Sequence, residues 1–200
     1  MTGHITIVGL GPGGREYVTQ QTLDAIDATR HRFVRTTKHP SAALVPDATS
    51  FDDVYETADT FADVYAEITR RLVDAAAEHG HILYAVPGSP LVLERSVAHL
   101  RADSRIECTV LPALSFLDLA YAALGIDPVE SAVTLIDGHE FATAAAGRSG
   151  PMLVAHTHAN WVLSDIKLAV DGADGDEPVV ILQRLGTPEQ HIVHTTWAEL

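Results

Sequence analysis

The sequence predicts an α/β protein with a mainly parallel N-terminal sheet followed by a smaller, mixed-sheet C-terminal α/β domain. Three observations carry that expectation. Short β-branched runs alternate with amphipathic helical stretches up to Gly125. The first such run, Ile5-Thr6-Ile7-Val8, drops straight into the glycine-rich loop Gly9-Leu10-Gly11-Pro12-Gly13-Gly14 and then into a helical pattern. Beyond the turn cluster Gly125-Ile126-Asp127-Pro128 the strand-like runs come closer together.

In chain order, the first half is expected to hold strands at His4–Val8, Arg32–Thr36, His81–Ala85 and Glu107–Leu111. Between them fall helices at about Thr19–Thr29, Thr57–His79, Val92–Arg101 and Ser115–Leu124. The second of these has the clearest pattern. Phe61, Val64, Tyr65, Ile68, Leu72 and Val73 share one face at helical spacing, and Gly80 stands where a C-cap glycine belongs. The second half is expected to hold strands at Ala132–Ile136, Met152–Ala155, Val179–Gln183 and Ile192–Thr195. A helix at about Asn160–Val170 separates two of them, ended by the polar run Asp171–Glu177. The boundary falls between Pro112 and Gly125, giving domains of residues 1–115 and 116–200. The final Trp197-Ala198-Glu199-Leu200 reads as the first turn of another helix, so the chain is expected to be a piece of a longer protein.

Composition narrows the classes of function. A chain of 200 residues, 46% hydrophobic, can bury a core without disulfides or metals, about 70% of its unfolded surface. Its one cysteine, Cys108, sits in an apolar run, which excludes an intrachain disulfide and fits a reducing compartment. No basic segment precedes an apolar leader, and no apolar run approaches the ~20 residues of a membrane span, so a cytoplasmic location is expected. Thirteen Lys and Arg against 27 Asp and Glu give a formal charge of −14, which repels nucleic acid and anionic membranes. One basic cluster, Arg30, Arg32, Arg35 and Lys38, reads either as a solvated loop edge or as an anion-facing rim.

Three glycine- or proline-bearing loops follow predicted strands: Gly9–Gly14, Val86–Pro90 and Pro112–Ser115. In a parallel sheet all three emerge at the carboxyl edge, where backbone N–H and C=O groups can converge on one ligand, and Gly11 is expected to admit its close approach. The spacing Gly9, Gly11, Gly14 also satisfies the dinucleotide pattern G-x-G-x-x-G, which keeps an NADP-dependent oxidoreductase open. Against it, the second strand ends in Arg35 and Thr36 where an acidic residue is wanted. Arg35 and His39 flank the open edge and are candidates to meet an anionic substrate, with His39 also a candidate general base. His156 and His158 stand two apart on a strand end but lack a third ligand of matching spacing, so no metal is expected. Asp137-Gly138-His139-Glu140 reads as an acid–base pair or as a turn opening a helix.

The ordered set of Val8–Gly13, Tyr84–Val92, Leu111–Ser115 and Arg184–Gln190 resembles the tetrapyrrole (corrin/porphyrin) methylase family. Arg35–Pro40, Leu124–Pro128, Asp137–His139 and Leu163–Leu168 add to the likeness, which spans essentially the whole chain. Within the family the chain is most similar to the methylase-like N-terminal domain fused to MazG-type nucleotide pyrophosphohydrolases, the YabN-like proteins. The resemblance implies a two-domain, homodimeric fold that binds S-adenosylmethionine between its domains and methylates a small-molecule acceptor. Carried over position by position, it implies cofactor contacts at Pro12, Gly88, Ser89, Val92, Ser115 and Phe116. In the second half it implies Thr157, His158, Ala159 and Pro188. Ser89 stands where many members have Asp, which removes a negative charge from that turn. The Glu-Glu-x-x-Glu run of MazG-type hydrolases is absent, so pyrophosphohydrolase chemistry is not assigned to this chain.

The expected activity is direct methyl transfer, in which alignment of nucleophile, methyl carbon and sulfur does the work without a nucleophilic side chain. Two alternatives stay open beside the oxidoreductase. The acceptor need not be a tetrapyrrole, since a chain at −14 offers its carboxylates little. The domain can also be a non-catalytic module that senses the cofactor or a nucleotide for a MazG-type partner.

Overall fold

The structure is a computed structural model that describes residues 2–170 and 174–200. The chain divides into two compact units, Met1–Leu119 with Leu185–Glu189, and Ala120–Arg184 with Gln190–Leu200. The first unit therefore takes back a short segment from the residues that sequence reading grouped as 116–200.

The first unit is built on strands β1 (Gly3–Gly9), β2 (Arg32–Val34), β3 (Thr49–Ser50), β4 (His81–Val86) and β5 (Ile106–Val110). They form one parallel sheet in the order β3-β2-β4-β1-β5. Helices α1 (Gln20–Ala28), α2 (Asp52–Thr57), α3 (Phe61–His79) and α4 (Arg95–Ala102) complete the connections, and α5 (Phe116–Leu124) follows β5, its residues from Ala120 on counted in the second unit. Alternate residues of β4 feed two separate cores. Ile82, Tyr84 and Val86 pack with Ile5, Ile7, Ile68, Leu72, Val97 and Leu100, while Leu83 and Ala85 pack with Val8, Ile26 and Val34. Both faces of the sheet are covered, which is why the central strands read as continuous apolar runs. The chain leaves β1 toward β2 on one side and leaves β4 toward β5 on the other. The carboxyl ends of β1 and β4 therefore form a topological switch point.

Boundaries differ from the sequence pattern where side chains compete with the backbone. The helix expected over Thr57–His79 starts later, at Phe61, because Thr60 caps α3 by accepting from the Asp63 N–H at 3.2 Å, and Thr57 instead closes the short helix α2. Phe61, expected in the core, is 71% exposed, and the buried face begins at Val64. Gly80 ends α3 as expected, at φ +78. Strand β2 stops at Val34 because Thr36 and Thr37 turn to the Asp52 carboxylate, their hydroxyls both donating at 2.6 Å. Burial alone raises the Asp52 carboxyl, but these hydrogen bonds and that of Ser50 outweigh it and hold it well below the usual range. Cys108 lies half-buried on β5 beside the first core, and burial pushes its thiol up.

The second unit holds β6 (Thr134–Asp137), α6 (Phe141–Ala144), β7 (Met152–Ala155), α7 (Asn160–Ala169), β8 (Pro178–Gln183) and β9 (His191–Thr196). Its mixed character comes as two separate ladders, β6 and β7 parallel and β8 and β9 antiparallel. Ile136, Phe141, Val162 and Ile166 form a small core. Residues 171–173 of the expected polar run lie outside the described residues. No helix among the described residues is long and apolar enough to cross a membrane.

A polar network joins the end of β2 to the start of α4. The Arg35 guanidinium donates through Nη1 to Glu94 and through Nε to the Tyr55 hydroxyl at 2.8 Å. Glu94 in turn accepts from the Ser96 hydroxyl at 2.7 Å, and Ser96 meets the Tyr84 hydroxyl at 2.9 Å. The Glu94 side chain is 2% exposed and that of Arg35 25%. This corrects the anion-facing rim. Arg35 points inward to Glu94, and Arg32 is tied to the Thr29 and Pro46 carbonyls. Arg35→Ala leaves the Glu94 carboxylate buried without its cation, for an expected loss of about 3 kcal/mol in urea unfolding. A change within about 0.5 kcal/mol would mark Arg35 as a surface residue instead.

Candidate functional site

The candidate cofactor site is the carboxyl edge of the first unit's sheet. Past Gly9 the chain stays bonded to its neighbour, with the Leu10 N–H donating to the Val86 carbonyl at 2.8 Å. Gly11 and Gly88 then exchange both backbone hydrogen bonds, at 3.2 and 2.8 Å. Both have left-handed backbones, φ +68 and +64, which glycine adopts without a Cβ penalty. At Gly9 a Cβ would lie 2.2 Å from the Gly88 carbonyl oxygen and 2.5 Å from the Ala113 Cβ, so the three expected loops touch there. At Gly13 a Cβ would lie 2.2 Å from the Gly186 carbonyl oxygen, which brings the returning segment Leu185–Glu189 onto the same loop. That fourth contact has no local signal in the sequence.

The segment after β2 braces this loop from behind. Ser41 donates its hydroxyl to the Gly13 carbonyl at 2.8 Å, and the Ser41 N–H donates to His39 Nδ1 at 3.2 Å. Burial pushes the His39 imidazole below its ordinary value, against a hydrogen bond with the Gly11 backbone that raises it. Its ring is thus committed to the loop's architecture, which does not match the expected role of general base.

The resemblance-derived residues divide between the units. Pro12 is half-buried within the glycine loop, and Gly88, Ser89 and Val92 form one turn, closed by the Val92 N–H donating to the Ser89 carbonyl at 3.1 Å. A Cβ at Gly88 would meet nothing within 4 Å, so the backbone there faces open space. Ser115 is buried and caps α5: its hydroxyl accepts from the Leu117 N–H, and its own N–H donates to Asp118 at 2.7 Å. Phe116 opens α5, and Pro188 is exposed on the returning segment. Thr157, His158 and Ala159 belong to the second unit, between β7 and α7.

The dinucleotide reading loses its geometry. A Rossmann unit needs β1 beside β2, and here β4 lies between them. It also needs a helix N-terminus at the loop, whereas a 3₁₀ turn at Arg15–Tyr17 intervenes and α1 starts at Gln20. Arg35, the residue left for a 2′-phosphate, is paired with Glu94.

In the second unit, β7 ends at Ala155 and His156 takes a left-handed backbone at φ +59, so His156 and His158 are not partners on a strand. Asp137, at the end of β6, instead gathers His139 and His156, with its Oδ1 2.9 and 3.2 Å from their Nδ1 atoms. Spacing gave no third ligand; the parallel pairing of Asp137 with Ala155 supplies one. Burial raises the Asp137 carboxyl, but hydrogen bonds from the His139 ring and backbone and from His156 outweigh it and lower it overall. The turn reading of residues 137–140 also holds, since the Asp137 side chain caps the 3₁₀ turn that follows.

Gly11 serves this architecture differently from the close ligand approach expected of it. A Cβ there would lie 2.5 Å from the Tyr17 carbonyl oxygen, inside the chain's own loop. Gly80 is equally left-handed, yet its Cβ would meet nothing within 4 Å. Gly80→Ala is therefore expected to cost only the conformational penalty, about 1–2 kcal/mol. Gly11→Ala costs more, because the Tyr17 backbone must move as well. Equal losses for the two variants in chemical denaturation would contradict the packed-loop account.

Comparison with known proteins places these features in a family. The tetrapyrrole (corrin/porphyrin) methylase profile matches residues 4–200. An uncharacterised protein of Bacillus subtilis (strain 168), YabN, is 30% identical over 96% of this chain, which spans 40% of that protein's length. The uroporphyrinogen-III C-methyltransferase of Synechococcus elongatus is 25% identical over all of this chain and 86% of its own. Among solved structures, the uroporphyrin-III C-methyltransferase of Thermus thermophilus has the same fold at a TM-score of 0.72 and 20% identity, covering 100% of this chain and 86% of its own. The same enzyme complexed with S-adenosylhomocysteine superposes at 0.69 and 18% identity, over 98% of this chain and 85% of its own. The precorrin-6Y methylase of Archaeoglobus fulgidus superposes at 0.68 and 22%, over 98% and 91%. A match along nearly the whole chain, on a sheet with this switch point, settles the assignment: the chain belongs to the tetrapyrrole (corrin/porphyrin) methylase family.

Proposed function

We propose that this chain binds S-adenosylmethionine at the carboxyl edge of the first unit's sheet and transfers its methyl group to a small-molecule acceptor. The observation that carries the proposal is the meeting of the Gly9, Gly88 and Ala113 loops at the switch point between β1 and β4. The residues present suit a cationic, nucleoside-bearing ligand. Open space faces the Gly88 backbone, the Arg35 cation is turned away to Glu94, and the chain as a whole is at −14. Ser89 offers a hydroxyl in the turn where many members place an acid. When bound, the cofactor supplies a sulfonium methyl already activated for direct displacement.

What the chain contributes is position. The loops brace one another through backbone contacts, so their N–H and C=O groups are fixed before a ligand arrives. Holding two reactants in register is worth roughly 7–11 kcal/mol of barrier without a nucleophilic side chain. Pro12, Gly88, Ser89, Val92, Ser115, Phe116 and Pro188 are the first-unit positions proposed to line the site. A homodimer, and a physical link to a MazG-type hydrolase, belong to the same reading by resemblance.

A second reading shares the ligand and omits turnover. It is favoured by the engagement of both side chains offered for chemistry, Arg35 with Glu94 and His39 with Ser41. Thermal unfolding with S-adenosylhomocysteine tests binding under either reading. At 100 times the dissociation constant, stabilisation of about 2.7 kcal/mol is expected. No shift with S-adenosylhomocysteine, together with a clear shift with NADP, would overturn the assignment of the cofactor. Release of S-adenosylhomocysteine from S-adenosylmethionine in the presence of candidate acceptors separates the methyltransferase from the sensing module.

A further inference from the structure

We propose that Asp137, His139 and His156 form a binding site for a divalent transition-metal ion of the zinc, cobalt or nickel type. The inference rests on the second unit alone and is independent of the methyl-transfer reading. One ligand atom from each residue lies within 4.8 Å of the others. The Asp137 Oδ1 is 2.9 Å from His139 Nδ1 and 3.2 Å from His156 Nδ1. Ligands about 2.0–2.1 Å from a tetrahedral ion stand roughly 3.3 Å apart, so these separations are those of neighbouring ligands.

The same atoms also hydrogen-bond, with the His139 backbone N–H donating to Asp137 Oδ1 at 3.2 Å and both Nδ1 atoms within hydrogen-bond distance of it. With a cation bound, each Nδ1 would offer its lone pair to the metal and carry its proton at Nε2.

Three features of the fold bring the groups together. The parallel register sets Asp137 beside Ala155, one residue before His156. Gly138 presses the intervening turn onto β7, since a Cβ there would lie 2.8 Å from the Ala155 carbonyl oxygen. His156 holds a left-handed backbone at φ +59, a conformation uncommon for a residue with a side chain and one that turns its ring toward Asp137.

The donor set selects the class of ion. Two imidazoles and one carboxylate suit borderline cations, whereas magnesium and calcium prefer all-oxygen sites and copper(I) prefers sulfur. The His139 and His156 side chains are 37% and 40% exposed, so water or an anion can complete the coordination, as in open rather than closed sites. The charge of −14 draws cations to the surface and adds to the site's affinity.

The test is calorimetric titration of the metal-stripped full chain with Zn²⁺, repeated with Co²⁺ as a spectroscopic reporter. One equivalent is expected to bind, with visible Co²⁺ absorption and paramagnetically shifted ring protons from His139 and His156. His156→Gly suits the left-handed backbone and keeps the fold, and Asp137→Asn keeps the side chain's shape. Each is expected to weaken binding by at least about tenfold, the scale on which even indirect ligand partners act. A His4→Gln, His81→Gln double variant, which removes a different histidine pair with rings 5.0 Å apart, is expected to bind as the parent does. The proposal is overturned if the parent binds no stoichiometric Zn²⁺. It is equally overturned if His156→Gly binds as the parent does, or if the shifted protons belong to other histidines.

Discussion

The reciprocal hydrogen bonds between Gly11 and Gly88 are the contact on which the carboxyl edge of the first unit's sheet depends. They join the loops after β1 and β4, the two strands whose onward connections diverge. Each glycine must be left-handed to present its N–H and C=O to the other, so neither position tolerates a side chain without strain. With that bridge in place, Gly9 lies against the Gly88 carbonyl and Ala113, and Gly13 lies against the Gly186 carbonyl. Four segments distant in sequence are thereby packed together at one edge of the sheet, and their order does not wait on a ligand.

Charge placement reinforces this. Arg35, which follows β2 at the carboxyl edge, has its charge met by Glu94 and its Nε by the Tyr55 hydroxyl, with Ser96 and Tyr84 linked on through Glu94. The network satisfies its members, and no buried side-chain polar atom among the described residues lacks a partner. Ser89 offers a hydroxyl in the turn after β4 at the same edge. His39 and Ser41 take part only by holding the glycine loop from behind.

The alternation of β-branched runs with amphipathic stretches was enough to place β1, β4, β7 and the core face of α3, because each pattern is local. Strand order was not legible. Nothing in the spacing of Gly9, Gly11 and Gly14 says that β4 lies between β1 and β2, and that insertion removes the dinucleotide geometry. Glu94 was missed for the same reason: its partner Arg35 is 59 positions away, so a buried acid looked like part of a helix start. Asp137 and His156, 19 positions apart, meet only through the parallel pairing of β6 and β7. Phe61 failed in the other direction, since it opens α3 before the buried face begins at Val64. The loops of the candidate site were readable one by one, as glycine- and proline-bearing turns; the return of Leu185–Glu189 to them had no local pattern and was implied only by the resemblance, at Pro188.

The central claim is that the bridged loops of the first unit are the ligand surface. Backbone amide resonances followed during titration with S-adenosylhomocysteine test it most directly, because the contacts in question are those of backbone groups. The account predicts the largest shifts at Gly11, Gly13, Gly88 and Ser89, with smaller ones at Gly186 and Thr187. Shifts confined to the opposite edge of the sheet, around His4, His31 and His81, would contradict it.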